Sequence, residues 1–171
     1  MREGAKKSPL VAVDTNVLFD RANDNELVLD ALGTIHRRLP ASELIVTPTV
    51  IEEIVLKAEQ ADTPTDRRLA RRVLASLVNP WGFRTVNFIP VRRGIVAEIA
   101  RHLRRQGLIP ETEMNDSLIV AEAALIGATL LLSSDAHIKD LDYAQLKLVL
   151  EAADADTPLV ASPYKIATQF F

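Results

Sequence analysis

Apolar residues in this chain follow two rhythms in alternation. Unbroken runs such as Leu10-Val11-Ala12-Val13 and Ala128-Thr129-Leu130-Leu131-Leu132 mark strands buried on both faces. Elsewhere apolar positions recur at intervals of three and four, as in Leu27, Val28, Ala31, Leu32 and Ile35, which is helical spacing. The pattern predicts strands over Leu10–Asp14, Glu43–Thr47, Arg84–Val91, Ala128–Ser133 and Pro158–Ala161. It predicts helices over Asn25–Arg38, from Pro48 through Gln60, and over Arg67–Val78, Arg92–Gln106, Asn115–Ile126 and Asp142–Glu151. Thr47-Pro48 and Thr63-Pro64 are helix-start signals, because proline in the first turn forfeits no hydrogen bond. Gly107 and Gly127 are stop signals.

Strands that alternate with helices form a mainly parallel sheet covered on both faces, so the expected fold class is three-layer α/β/α. The chain has 171 residues, 48% of them hydrophobic, enough for one domain with a sizeable core. Residues 1–8 read as a mobile tail and 9–171 as that single domain. The closing Gln169-Phe170-Phe171 is unusually apolar for a free end and reads as packing back or meeting a partner. No stretch approaches the roughly 20 apolar residues that span a bilayer, so no membrane partner is expected. The N-terminus lacks a signal-peptide pattern. Cysteine is absent, which excludes disulfides and thiolate metal sites and makes the cytoplasm the default location.

The net charge of −3 hides an asymmetry. Between Arg67 and Arg105 stand ten arginines against one acid, Glu98, a local charge of +9 that leaves −12 for the remainder. Such a block reads either as solvated helix faces or as a landing surface for a polyanion. On an ideal helix from Arg92, at about 100° per residue, Arg93, Arg101 and Arg104 share an arc of about 80°. Arg68 and Arg72 form a similar pair on the preceding helix. Aromatic residues make up only 5% of the chain, so little base stacking is expected; Trp81 reads as a hydrophobic anchor in the Asn79–Gly82 turn.

The acids carry the candidate chemistry. Asp14 and Asp135 end predicted strands, and Asp116 opens a predicted helix. Strand C-termini in open α/β sheets line the ligand crevice, and helices begin at that same edge. A glutamate early in the helix after the second strand belongs to the same edge, but helical phase does not choose between Glu52 and Glu53, which flank the apolar arc about equally. Each acid has an ordinary alternative: Asp14 and Asp135 as turn acids, Asp116 as a complement to a helix dipole. Gathered together, they repel unless a cation sits between them. Oxygen-only donors suit Mg²⁺ or Mn²⁺ and not zinc. His36, His102 and His137 read as surface or packing residues, with His137 placed to touch a substrate.

These segments resemble those of the PIN-domain nucleases, among them the VapC-type toxin ribonucleases. Val11-Ala12-Val13-Asp14-Thr15-Asn16 is similar to the family's opening motif, and Thr47 to Ile54 to its second. Asn115-Asp116-Ser117-Leu118-Ile119-Val120-Ala121-Glu122-Ala123 resembles the third, Leu131-Leu132-Ser133-Ser134-Asp135 the last, and Leu159 to Pro163 the final strand. The resemblance runs from about Leu10 to Pro163. It departs between Gln60 and Glu113, which is longer than in the compact bacterial toxins and holds the arginine block.

The resemblance implies a PIN-like fold and an endoribonuclease dependent on Mg²⁺ or Mn²⁺. It selects Glu53 over Glu52 and makes Asp14, Glu53, Asp116 and Asp135 the metal-binding and catalytic acids. Asn16 and Ser133 would position ligands or the scissile phosphate. RNA is then the partner of Arg68, Arg72, Arg93, Arg101 and Arg104. A homodimer and, in a toxin setting, a small antitoxin protein are further implied partners. Three other readings remain: a stand-alone RNA-processing nuclease, an inactive PIN-like module that binds RNA or protein, and a phosphohydrolase with an aspartyl nucleophile. The last usually needs a second Asp where Asn16 stands.

Overall fold

A computed structural model describes residues 8–169. In chain order the elements are β1 (Leu10–Val13), α1 (Thr15–Ala22), α2 (Glu26–Arg38), β2 (Glu43–Val46), α3 (Pro48–Gln60), α4 (Pro64–Ser76) and β3 (Arg84–Thr85). There follow α5 (Pro90–Arg105), α6 (Met114–Leu125), β4 (Leu130–Leu132), α7 (Ala136–Lys139), α8 (Tyr143–Glu151), β5 (Leu159–Ala161) and α9 (Pro163–Gln169). The tail expected over 1–8 lies, apart from Ser8, outside the described residues, as do Phe170 and Phe171.

The strands form one five-stranded sheet in the order β3-β2-β1-β4-β5, with every neighbouring pair parallel. Val11, Ala12 and Val13 are wholly buried, as are Leu131 and Leu132. Successive strand residues point to opposite faces, so burial of consecutive residues means that both faces are covered. This is the expected three-layer α/β/α arrangement. In register, Val13 of central β1 lies beside Leu132 of β4, and the Asp14 amide donates to the Leu132 carbonyl at 3.0 Å. The chain therefore leaves β1 and β4 at the same edge of the sheet.

Helix boundaries follow the capping chemistry. Asn25, Thr63 and Asp142 each accept a backbone N–H of the first turn with a side-chain oxygen. Pro48, Pro64 and Pro90 open α3, α4 and α5. Gly107 and Gly127 both lie at φ +72°, the left-handed turn that ends α5 and α6.

The structure departs from the sequence pattern in two ways. The strand expected over Arg84–Val91 pairs only at Arg84–Thr85, because Pro90 already starts α5 and Ile89 is its N-cap. Three short helices were not foreseen: α1, α7 and α9. Each begins directly after a strand, at Asp14, at Asp135 and just after Ser162, so each start reads in one dimension as a turn.

Candidate active site

Asp14 closes β1 and caps α1. Its Oδ1 accepts the Thr15 amide at 2.6 Å and its Oδ2 accepts the Ser133 hydroxyl at 2.6 Å. Ser133 follows β4, and its Oγ also accepts the Asp135 amide at 3.0 Å. Asp135 in turn caps α7, its Oδ1 accepting the His137 amide at 2.8 Å. Asn16 reaches the same loop, its Oδ1 accepting the Ser134 amide at 3.2 Å. One hydroxyl thus fixes the positions of two acids 121 residues apart in the chain.

The glutamate left open by helical phase is resolved by its contacts. Glu53 accepts the Thr15 hydroxyl at Oε2 and the Asn115 side-chain amide at Oε1, the latter at 2.7 Å. Glu52 is exposed. Glu53 thereby joins α3 to the first turns of α1 and α6.

Asp116, in the first turn of α6, differs from the other acids. It does not cap the helix, whose N-cap is Glu113, and among the described residues its carboxylate makes no hydrogen bond or ion pair. Burial pushes it up to about 7, with the carboxylates of Asp135, Asp14, Glu113 and Glu53 pushing the same way. Burial likewise pushes Asp14 up to about 6. The hydrogen bonds from Ser133 and Thr15 oppose that shift, and the charges of Glu53 and Asp135 add to it. Asp14, Glu53, Asp116 and Asp135 therefore lie within electrostatic range of one another at the C-terminal edge of the sheet.

Among the described residues, no three or more Asp, Glu or His side chains are arranged as a group that could hold a metal ion. Asp14, Glu53 and Asp135 are turned onto internal donors. In chemistry the donor set fits a hard divalent cation: all the donors are oxygen, and burial, with mutual repulsion added to it, leaves Asp14 and Asp116 reluctant to ionise.

Two residues brace this site: Glu122, to which the sequence reading gives no role, and Arg104, which it places on the RNA-binding stripe. Glu122, 4% exposed on α6, accepts the Thr49 hydroxyl at 2.8 Å and lies within 3.2 and 3.3 Å of the Thr49 amide. It thereby caps the start of α3 from another helix. Asn115 and Glu122 are seven residues apart, so they share a face of α6 that grips α3 at Glu53 and Thr49. Arg104 extends from α5 with only 8% of its side chain exposed and donates to Ser117 Oγ, whose own proton goes to the Met114 carbonyl. The sequence signal was a glutamate in an otherwise apolar helix and an arginine flanking Leu103.

The arginines do not form one free stripe. Arg93 is tied to the Phe88 carbonyl and the Asn87 side chain, at 3.0 and 2.9 Å, and Arg104 is enclosed between α5 and α6. Arg101 pairs with Glu98, Arg72 pairs with Asp24 at 3.6 Å, and Arg68 is exposed. Trp81 lies under the Arg21 guanidinium, 4.9 Å from its ring centre, as an anchor would. No helix among the described residues is long and apolar enough to cross a membrane.

Comparison with known proteins gives the fold a family. The chain is similar to VapBC2 from Rickettsia felis, solved bound to a DNA fragment from their promoter, with 14% identity, a TM-score of 0.60 and coverage of 90% of this chain and 98% of that one. FitAcB from Neisseria gonorrhoeae is similar at 19% identity and TM-score 0.58 over the same shares, 90% and 98%. VapBC-1 from nontypeable Haemophilus influenzae is similar at 17% and 0.53, over 78% of this chain and 95% of that one. Identities this low speak to the fold alone. No curated protein sequence matches the chain. The family model of the PIN domain, however, matches residues 11–143, a span that takes in β1 through β4 and all four acids, and the chain belongs to the PIN domain family.

Proposed function

We propose that the protein is an endoribonuclease that hydrolyses RNA phosphodiester bonds with Mg²⁺ or Mn²⁺, using Asp14, Glu53, Asp116 and Asp135. Asp116 carries this reading. A carboxylate with no hydrogen-bond partner, pushed up to about 7 by burial and by its fellow acids, has only the helix dipole of its first-turn position in its favour, worth about 0.3–1 kcal/mol. PIN domains are generally nucleases, which agrees. The specific choice of RNA over DNA rests on the family resemblance of the four motifs.

Asp14, Asp116 and Asp135 would hold the cation, with Glu53 completing the cluster. When bound, a divalent ion lowers the pKa of water and offsets charge on phosphate oxygens. Ser133 orients Asp14 and Asp135 through one hydroxyl. Asn16, with its carbonyl oxygen held by Ser134, keeps its amide nitrogen as a donor toward a phosphate oxygen. Thr15 and Asn115 restrain Glu53. RNA would approach over Arg68, Arg72 and Arg101: exposed ion pairs such as Arg72–Asp24 are worth only about 0–1 kcal/mol, so phosphate can displace them. Arg93, exposed but tied to Phe88 and Asn87, would offer phosphate its remaining N–H groups, and Arg104 would act from within the protein. The VapBC and FitAB neighbours favour a toxin restrained by a small antitoxin protein, and a homodimer belongs to the same reading.

The test is Mn²⁺-dependent cleavage of single-stranded RNA by the wild type, Asp14→Asn and Asp116→Asn. Both substitutions should reduce cleavage at least a hundredfold while circular dichroism stays native. Variants that cut as fast as the wild type would refute the site.

A further inference from the structure

Asp135 stands between two concavities at the sheet edge. One, of about 310 Å³, is lined by Gly107, Pro110, His137, Asp140, Asp142 and Gln145. The other, of about 250 Å³, is lined by Asp20, Asn25, Leu27, Ser134, Lys139 and Tyr164. The second is linked to the candidate acids through Ser134, the residue before Asp135, and through Lys139. Ser134 in its wall donates its amide to Asn16, and the Lys139 amide donates to the Asp135 carbonyl at 2.8 Å, one helical turn away. Tyr164 is 64% exposed and Leu27 is 43% exposed, an aromatic and an aliphatic surface left to solvent at one cleft. Lys139 is exposed and, among the described residues, makes no ion pair.

Charge sign decides between the two. The first cleft sets two aspartates against one histidine, which repels a polyphosphate chain. The second sets one lysine against Asp20 and adds an aromatic face.

We propose that the Tyr164–Lys139 cleft is a nucleotide subsite, in which the Tyr164 ring stacks on a base next to the scissile phosphate and the Lys139 ammonium contacts the adjoining backbone phosphate. Stacking on an exposed aromatic is tolerant of base identity, because every base has a π-face. Asp20 faces the same cleft, where its carboxylate can accept a hydrogen bond from a ribose 2′-hydroxyl, the group that distinguishes RNA from DNA. This subsite rests on the nuclease reading, since it takes the acid cluster as the point of cleavage.

The experiment has a binding arm and a turnover arm. In the binding arm, short single-stranded RNAs carrying 2-aminopurine at each position in turn are titrated without divalent ions. One position should be quenched by wild type and by Tyr164→Phe, which keeps the ring. Tyr164→Ala should lose that quench and bind about 5- to 100-fold more weakly. Lys139→Ala should reduce the slope of log K against log salt by about 0.7, the value for one phosphate on a single strand. In the turnover arm, with Mn²⁺, both alanine variants should show their loss in KM rather than in kcat. Wild-type affinity and KM in Tyr164→Ala and Lys139→Ala would overturn the subsite, even where the wild type cleaves RNA. A wild type that binds RNA with the Tyr164-dependent quench yet never cleaves would sink the nuclease reading and leave this cleft as a binding site.

Discussion

Replacing Asp14 by asparagine should stabilise the metal-free protein at pH 8. Asp14 is 4% exposed, and its carboxyl is pushed from 3.8 up to about 6, chiefly by burial. At about 1.4 kcal/mol per pKa unit, a rise of roughly two units means that the ionised form destabilises the fold by about 3 kcal/mol relative to the neutral one. Asparagine resembles the neutral form in size, and its carbonyl can still accept the Thr15 amide. Because the folded value lies above the unfolded one, the penalty is absent below about pH 4, grows as the pH rises toward 6, and is complete above that. The loss of a charge-assisted bond to Ser133 takes back about 1 kcal/mol. A net gain of about 2 kcal/mol in a chain of this length corresponds to a Tm increase of about 4–8 °C. Thermal melts followed by circular dichroism in EDTA should show this difference at pH 8 and little or none at pH 4. Adding Mn²⁺ should then stabilise the wild type by about 2.7 kcal/mol at a hundred times its Kd, raising its Tm, and leave the variant behind. An Asp14→Asn protein that melts at or below the wild-type temperature at pH 8 would refute the burial-and-repulsion account.

Three further outcomes follow from the same geometry. Glu122→Gln should be neutral or mildly stabilising at pH 8, since burial raises the Glu122 carboxyl and the amide oxygen still accepts from Thr49, whereas Glu122→Ala should cost about 2–3 kcal/mol in urea unfolding by orphaning the Thr49 donors. Equal midpoints for the two variants would mean that the clasp between α3 and α6 contributes nothing. Arg104→Ala should leave the salt slope of RNA binding unchanged, because its guanidinium is enclosed, and a slope reduced by about 0.7 would place it on the nucleic acid instead. Arg68→Ala, at an exposed position, should show that reduction and should not shift the melting temperature.

The sheet was legible because its signal is local. A run such as Val11-Ala12-Val13 has only one stable use in a chain this size, and proline and glycine mark the helix ends that surround it. The strand expected through Val91 failed for the opposite reason. Val86, Phe88 and Ile89 are apolar enough for a strand, but Pro90 had already committed the backbone to α5. Contacts across the chain were not legible. Hydrophobic phase shows which arc of α3 is buried and says nothing of which helix lies across from it, so phase alone does not separate Glu52 from Glu53; the family resemblance favours Glu53, and it is Glu53 that Thr15 and Asn115 grip. The arginine stripe on α5 failed similarly: its angular arc holds, yet α6 packs against part of it and encloses Arg104. The role of Glu122 was not legible because its partner Thr49 lies 73 residues away.

The site acids divide into two kinds, and the division bears on how such a centre survives in a folded protein. Asp14 and Asp135 each cap a helix, so part of their unfavourable burial is offset by backbone donors that those helices would otherwise leave unpaired. Glu53 is held by a hydroxyl and an amide. Asp116 has none of these hydrogen bonds, only the helix dipole of its first-turn position, and its carboxyl is pushed up to about 7, chiefly by burial. An arrangement built for stability alone would place an apolar residue or a cap there. The sequence instead keeps a carboxylate in the first turn of α6 and places Asn115 and Ser117, on either side of it, in contact with Glu53 and Arg104. The neighbours of Asp116 anchor the helix while its own carboxylate makes no hydrogen bond or ion pair among the described residues, the condition that the proposed role as a cation ligand requires.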